Sequence, residues 1–136
     1  MAAVMKMPAI ALTVLVALGS TALAQQRSGP FTIAESGAGY GSLADAVNAI
    51  GAGTGTIVIA PGTYRDCAVQ LGGTITYRAA TPGTAVFDGG ICEEKAALVL
   101  RGRAARVEGI VFQNMRVPDG NGSGIRLEQG DLEVTN

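Results

Sequence analysis

The stretch Thr56-Ile-Val-Ile-Ala-Pro-Gly-Thr-Tyr-Arg-Asp66 (TIVIAPGTYRD) drives four β-branched residues straight into Pro61-Gly62, and charge follows at Arg65-Asp66. β-Branched residues fit a pleated, half-buried surface. Proline lacks the N–H that a ladder needs, and glycine reaches backbone conformations closed to other residues, so the strand stops here. Short strands halted by Gly, Pro or Asp recur to the end of the chain and sort into three rows. The first row holds Ile57-Val58-Ile59, Val86-Phe87-Asp88 and Ile110-Val111-Phe112. The second holds Val69-Gln70-Leu71, Leu98-Val99-Leu100 and Ile125-Arg126-Leu127. The third holds Ile75-Thr76-Tyr77, Val107-Glu108-Gly109 and Leu132-Glu133-Val134.

Within a row the step is 24 to 32 residues. The outer residues of most triplets are apolar and the middle one is often polar, the period of a strand with one buried face. Three short strands in fixed order at such a step are the mark of a solenoid. The expected fold is therefore all-β, a right-handed parallel β-helix whose coils must bend three times, with Pro61-Gly62, Gly72-Gly73, Gly89-Gly90, Gly102 and Gly130 at corners. A sandwich of hairpins is the alternative, but Asp-Gly and Asn-Gly pairs that could make two-residue hairpin turns occur only at Asp88-Gly89 and within Asp119-Gly120-Asn121-Gly122.

Ahead of the strands, Phe31 to Ala34 forms a short apolar strand, and Ser42 to Ile50 (SLADAVNAI) predicts a helix. Ser42 is placed to cap it, Leu43, Ala46, Val47 and Ile50 fall on one face, and Gly51 stops it. Gly37, Gly39 and Gly41 between strand and helix are spaced G-x-G-x-G. A dinucleotide fingerprint needs G-x-G-x-x-G and a later acidic residue, so these glycines form a flexible lead-in.

The N-terminus carries Lys6, then an apolar run from Pro8 to Leu18 broken only by Thr13, then Ala22-Leu23-Ala24. This order predicts a secretory signal peptide over residues 1–24, cut after Ala24, because the run is too short to span a bilayer. Residues 25–55 then hold the first strand and a capping helix, and residues 56–136 the opening coils. The expected location is secreted or periplasmic. Without Lys6 the chain has nine Lys plus Arg against eleven Asp plus Glu, a net charge of −2. No basic cluster marks a nucleic-acid face. With no histidine in the 136 residues, Ser-His-Asp triads and His-containing zinc sites are excluded from this stretch.

Cys67 and Cys92 lie on the same connector, from first to second row, one coil apart. Successive coils stack like neighbouring strands, about 4.8 Å apart, which is within disulfide reach. A disulfide between them is expected.

From Ser42 to Asp66, SLADAVNAIGAGTGTIVIAPGTYRD resembles the opening of right-handed parallel β-helix proteins of the pectin lyase-like superfamily. These begin with a short amphipathic capping helix, a Gly-rich turn and a strand ending in APGTY. Ile75 to Gly90 (ITYRAATPGTAVFDGG) and Ala97 to Asn114 (ALVLRGRAARVEGIVFQN) fit the same pattern, and the resemblance covers essentially all of the mature chain. It implies a protein that cuts or binds acidic polysaccharide, as a lyase or glycoside hydrolase, or a non-catalytic surface scaffold. Calcium is implied only for lyases of this type, which place Asp ligands and an Arg base on central coils. No residue here matches those positions, so the expected catalytic, cofactor-binding and metal residues in this stretch are none. If the protein is an enzyme, its catalytic groups lie elsewhere.

The acids present are Asp66, Asp88, Glu93, Glu94, Asp119, Glu128 and Asp131. Work on a glycosidic bond needs a carboxyl pair with separated pKa values. Glu93-Glu94-Lys95 is expected as a solvated loop, and Asp88 as a turn cap. Asp119-Gly-Asn-Gly-Ser123 departs from a calcium loop in spacing and in its missing closing acid. Pro118 to Gly124 lengthens its coil and should protrude beside the sheet, where a glycan can lie. Leu132-Glu133-Val134 closes on the third row, so the chain reads as the front of a longer protein whose open coil end can self-associate.

Overall fold

The computed structural model describes residues 3–5, 8–11, 13–14 and 28–136; the cleavage site expected after Ala24 lies outside them. The elements run β1 (Phe31–Ile33), β2 (Gly39–Tyr40), α1 (Leu43–Ile50), β3 (Thr54–Ile59), β4 (Gly62–Tyr64), β5 (Ala68–Gln70), β6 (Thr74–Ala79), β7 (Ala85–Asp88), β8 (Ala96–Leu100), β9 (Ala104–Glu108), β10 (Ile110–Gln113), β11 (Ser123–Leu127) and β12 (Asp131–Thr135). The molecule is strand-rich with one short helix.

The helix forms as the sequence predicts. Ser42 is extended and accepts from the Asp45 N–H at 3.1 Å, satisfying one of the donors a helix start leaves free. Leu43, Ala46 and Val47 are buried, and Gly51 ends the helix at φ +58°.

Three sheets are built from strands taken in rotation. The largest has the order β12-β9-β6-β3-β1-β2, parallel from β3 to β12 and antiparallel at β1 and β2. The second has the order β10-β7-β4 and the third β11-β8-β5, both parallel throughout. From β3 the chain visits the large, second and third sheets three times in that order, then returns to the large sheet at β12.

The rows expected from sequence are corrected in five places. In the first row β10 slips by one on β7, with Ile110 opposite Ala85 and Phe112 opposite Phe87. In the third row Ala105-Arg106-Val107, not Val107-Glu108-Gly109, lies opposite Ile75-Thr76-Tyr77 and Leu132-Glu133-Val134. Ile57-Val58-Ile59 belongs to β3, which pairs with β6 through Ile57↔Tyr77, and not with β7. The partner of β7 is Gly62-Thr63-Tyr64, the segment read as a corner, with Tyr64↔Phe87. Gly62 enters a strand because its N–H donates to the Thr84 carbonyl at 2.9 Å, so only the turn itself falls to Ala60-Pro61. The second row slips by one: Ala68, Val69 and Gln70 lie opposite Leu98, Val99 and Leu100. A one-residue slip exchanges the faces of a strand, so Gln70 points inward and Leu71 stands 74% exposed.

The inward Gln70 is 1% exposed and fully used. Its Nε2 donates to the carbonyls of Gly72, Gly73 and Ala104 at 3.1, 3.2 and 3.0 Å, and its Oε1 accepts from the Tyr77 hydroxyl at 2.9 Å. Buried polar groups are tolerated when every donor and acceptor is paired. Below it, Phe31, Tyr64, Phe87 and Phe112 form an inward ladder with successive ring centroids 5.1, 5.5 and 5.8 Å apart. Tyr64, Phe87 and Phe112 stack because the parallel strands of the second sheet hold them in register, and Phe31 of the large sheet packs against Tyr64.

Cys67 and Cys92 form a disulfide with Cα atoms 5.5 Å apart. It joins the β4–β5 connector to the β7–β8 connector, the position expected from stacking. Among the described residues no helix is long and apolar enough to cross a membrane.

Candidate functional site

The β7–β8 connector closes on itself at Cys92. Cys92 N–H donates to the Ala96 carbonyl at 2.9 Å, and Lys95 N–H returns to the Cys92 carbonyl at 3.0 Å. To make so tight a turn, Glu93 and Glu94 both adopt left-handed backbone, φ +54° and +53°. Side chains other than glycine, Asn and Asp seldom do so, and each instance carries strain.

Three sets of contacts hold this turn. The disulfide ties Cys92 to the preceding connector. Arg101 grips the Glu93 carboxylate in a fork at 2.6 and 3.3 Å and donates through Nε to Glu128 at 2.6 Å, while Lys95 takes the other Glu128 oxygen at 2.6 Å. Ser123 N–H, at the start of β11, donates to the Lys95 carbonyl at 3.1 Å. Facing the turn is the exposed loop between β10 and β11; the last two residues of the segment expected to protrude, Ser123 and Gly124, belong to β11. In the loop Asp119 accepts from Asn121 N–H at 2.9 Å, and Arg126 reaches the Asn121 carbonyl at 3.0 Å. Turn and loop together wall a polar groove of about 520 Å³, lined by Glu93, Glu94, Lys95, Asp119, Asn121 and Arg126.

The electrostatics favour the ionised form of Glu128, Asp119 and Asp88. The Lys95 ammonium and the Arg101 guanidinium hold Glu128 below the ordinary glutamate value, and the Asn121 N–H does the same for Asp119. Outside the groove, Asn114 and Gln113 amides hold Asp88 low. Asp66 spends its two oxygens on the N–H groups of Leu43 and Cys67, at 2.9 and 2.8 Å, so it pins the start of α1 rather than facing a ligand. A general acid requires the opposite shift. Hydrogen bonding and positive neighbours thus favour the ionised form of Glu128, Asp119 and Asp88, the reverse of what a general acid needs.

Two other surfaces carry charge. On the outer face of the large sheet, Arg78, Glu108, Arg106 and Glu133 climb across β6, β9 and β12 as a chain of alternating sign, with contacts of 2.6, 3.8 and 2.6 Å. Asp131 lines a shallow hollow beside it with Thr74, Thr76 and Arg106. At the corner holding the disulfide, Arg65 and Arg116 line a hollow with Asp66, and the charge of Arg65 also acts on Asp88. Among the described residues no three His, Cys, Asp or Glu side chains converge as a metal-ligand group.

The groove therefore gathers Glu93, Glu94 and Asp119, while Asp66, Asp88 and Asp131 lie elsewhere. The loop expected around Glu93-Glu94-Lys95 is solvent-exposed at both glutamates, as expected, and is braced by Arg101; sequence reasoning gave no part in a site to Lys95, Arg101 or Arg126. Lys95 and Arg101 meet at Glu128, and Arg126 meets the Asn121 carbonyl; no spacing in the sequence marks these contacts. Comparison with protein-family models, with curated proteins and with solved structures gives no match.

Proposed function

We propose that the chain forms a right-handed parallel β-helix of the pectin lyase-like kind, exported from the cell, whose polar groove binds polysaccharide. The fold reading is supported by the repeated passage through three parallel sheets, with a short amphipathic helix ahead of the first passage. The groove carries the functional reading. It presents fixed carboxylates, an ammonium, a guanidinium and an amide within one cleft, the mixture of acceptors and donors that sugar hydroxyls and uronate groups require.

Binding suits these residues better than catalysis. Glycoside hydrolysis needs one carboxyl kept protonated beside one kept ionised, whereas Glu128 and Asp119 are both held low by their neighbours. Titration of the purified chain with oligogalacturonides and with a neutral glucan, followed by calorimetry, tests the reading. Binding of at least one is expected, and Asn121→Ala should weaken it by roughly tenfold, the worth of one side-chain hydrogen bond. Absence of binding to any polymer would leave a non-catalytic scaffold as the better description. Turnover lost on mutating a groove residue would replace binding by catalysis.

A further inference from the structure

We infer that the Cys67–Cys92 disulfide is a redox latch on the groove: closed, it holds the Glu93–Glu94 turn in a conformation that the turn abandons when the bond is reduced. The inference goes beyond the polysaccharide reading, because it concerns the groove wall and holds whatever ligand the groove takes.

The turn has a reason to open. Glu93 and Glu94 are consecutive non-glycine residues at positive φ, an arrangement that persists only where surrounding contacts over-determine it. Of those contacts, the disulfide is the covalent one, and it acts at Cys92, the residue where the turn begins and closes. The Arg101 fork on Glu93 is an exposed ion pair, which salt and water weaken. Among the described residues the Glu94 carboxylate makes no hydrogen bond or ion pair, so nothing at that side chain resists the change.

The bond is also placed for reaction. Both half-cystines are partly exposed, and Cys67 lines a surface hollow. A thiolate of an incoming dithiol attacks one sulfur and forms a mixed disulfide. Its second thiol then resolves that bond. The protein gains two electrons and two protons as the Cys67 and Cys92 thiols, and the reductant leaves as its own disulfide. The rest of the fold keeps its three ladders, none of which uses either cysteine.

Amide hydrogen exchange on the intact chain tests this, with and without a dithiol such as dithiothreitol. The reporting amides are Cys92, Lys95, Ala96 and Ser123, each bonded to or across the turn; Tyr77 and Val107, in the large sheet, report global stability. Reduction should speed exchange at the four turn amides by about tenfold or more and leave them exchanging faster than Tyr77 and Val107, as local opening below the global unfolding free energy does. The variant Cys67→Ser/Cys92→Ser should reproduce this without reductant. Glu94→Gly, which removes the side chain that resists positive φ, should exchange more slowly at the turn after reduction than the wild-type chain does. Three results overturn the latch. They are unchanged turn exchange on reduction, turn amides that exchange no faster than Tyr77 and Val107 in the reduced chain, and a Glu94→Gly chain that opens as fully as wild type.

Discussion

Gln70 shows how one side chain can set the register of a whole strand. A sequence reading that places apolar residues inward puts Val69 and Leu71 in the core, but the structure puts Gln70 there because Tyr77 and three carbonyls satisfy it. Replacing Tyr77 by Phe leaves Oε1 of Gln70 buried without a donor, and should cost about 1–3 kcal/mol in urea unfolding. Gly102→Ala should cost a similar amount, typically about 1–3 kcal/mol for overpacking. Its added methyl would collide with the Gln70 amide and with the Gly72 and Gly73 carbonyls. At the surface, the side chains of Lys95 and Arg101 depress the Glu128 carboxyl, and Asn114 with Gln113 depress Asp88. A carboxyl lowered by folding contributes stability above its unfolded value, and that contribution is lost as pH falls through the lower folded value. Melting temperature should therefore be level between about pH 6 and 8, where a chain without histidine has no side chain at its ordinary pKa. It should decline as pH drops below the glutamate reference of 4.5, and the decline should be shallower in Glu128→Gln.

At the level of elements, the disulfide and the helix were legible and the strand rows only partly so. Cys67 and Cys92 could be paired because both follow a second-sheet strand, a relation that survives errors in register. The helix could be placed because Ser42, the apolar face and Gly51 agree. The β3 assignment failed because Ile57-Val58-Ile59 and Ile75-Thr76-Tyr77 look alike as short half-buried strands, and period alone cannot say which sheet receives them. Gly62-Thr63-Tyr64 was missed because Pro-Gly signals a turn more loudly than Tyr64 signals a strand. The groove was legible only as a protruding loop, since left-handed backbone at two glutamates has no sequence signature. Two measurements follow at this scale. Ser42→Ala should lower stability by about 1 kcal/mol, as loss of an N-cap does, read from denaturant midpoints. Closing the disulfide, which spans 25 residues, should raise global stability by about 3.5 kcal/mol on the chain-entropy account, read by comparing oxidised protein with Cys67→Ser/Cys92→Ser.

Across the whole molecule, every rung of each sheet hydrogen-bonds only to the rung before and the rung after it. Consecutive passages through the large sheet begin at Thr54, Thr74, Ala104 and Asp131, so most of the structure is a stack of local neighbours with few contacts between distant passages. Such a stack can lose its outermost member without disturbing the next. The tie between Cys67 and Cys92 breaks that independence at one point, and its consequence is mechanical. Pulled from its two ends, the oxidised chain cannot pay out the 25-residue span between its cysteines, a hidden length of about 85 Å at roughly 3.4 Å per residue. Force–extension traces should lengthen by about that much, roughly 80–90 Å of contour, when a dithiol is present, so the same bond that fixes a turn at rest also limits how far the molecule can be drawn out under load.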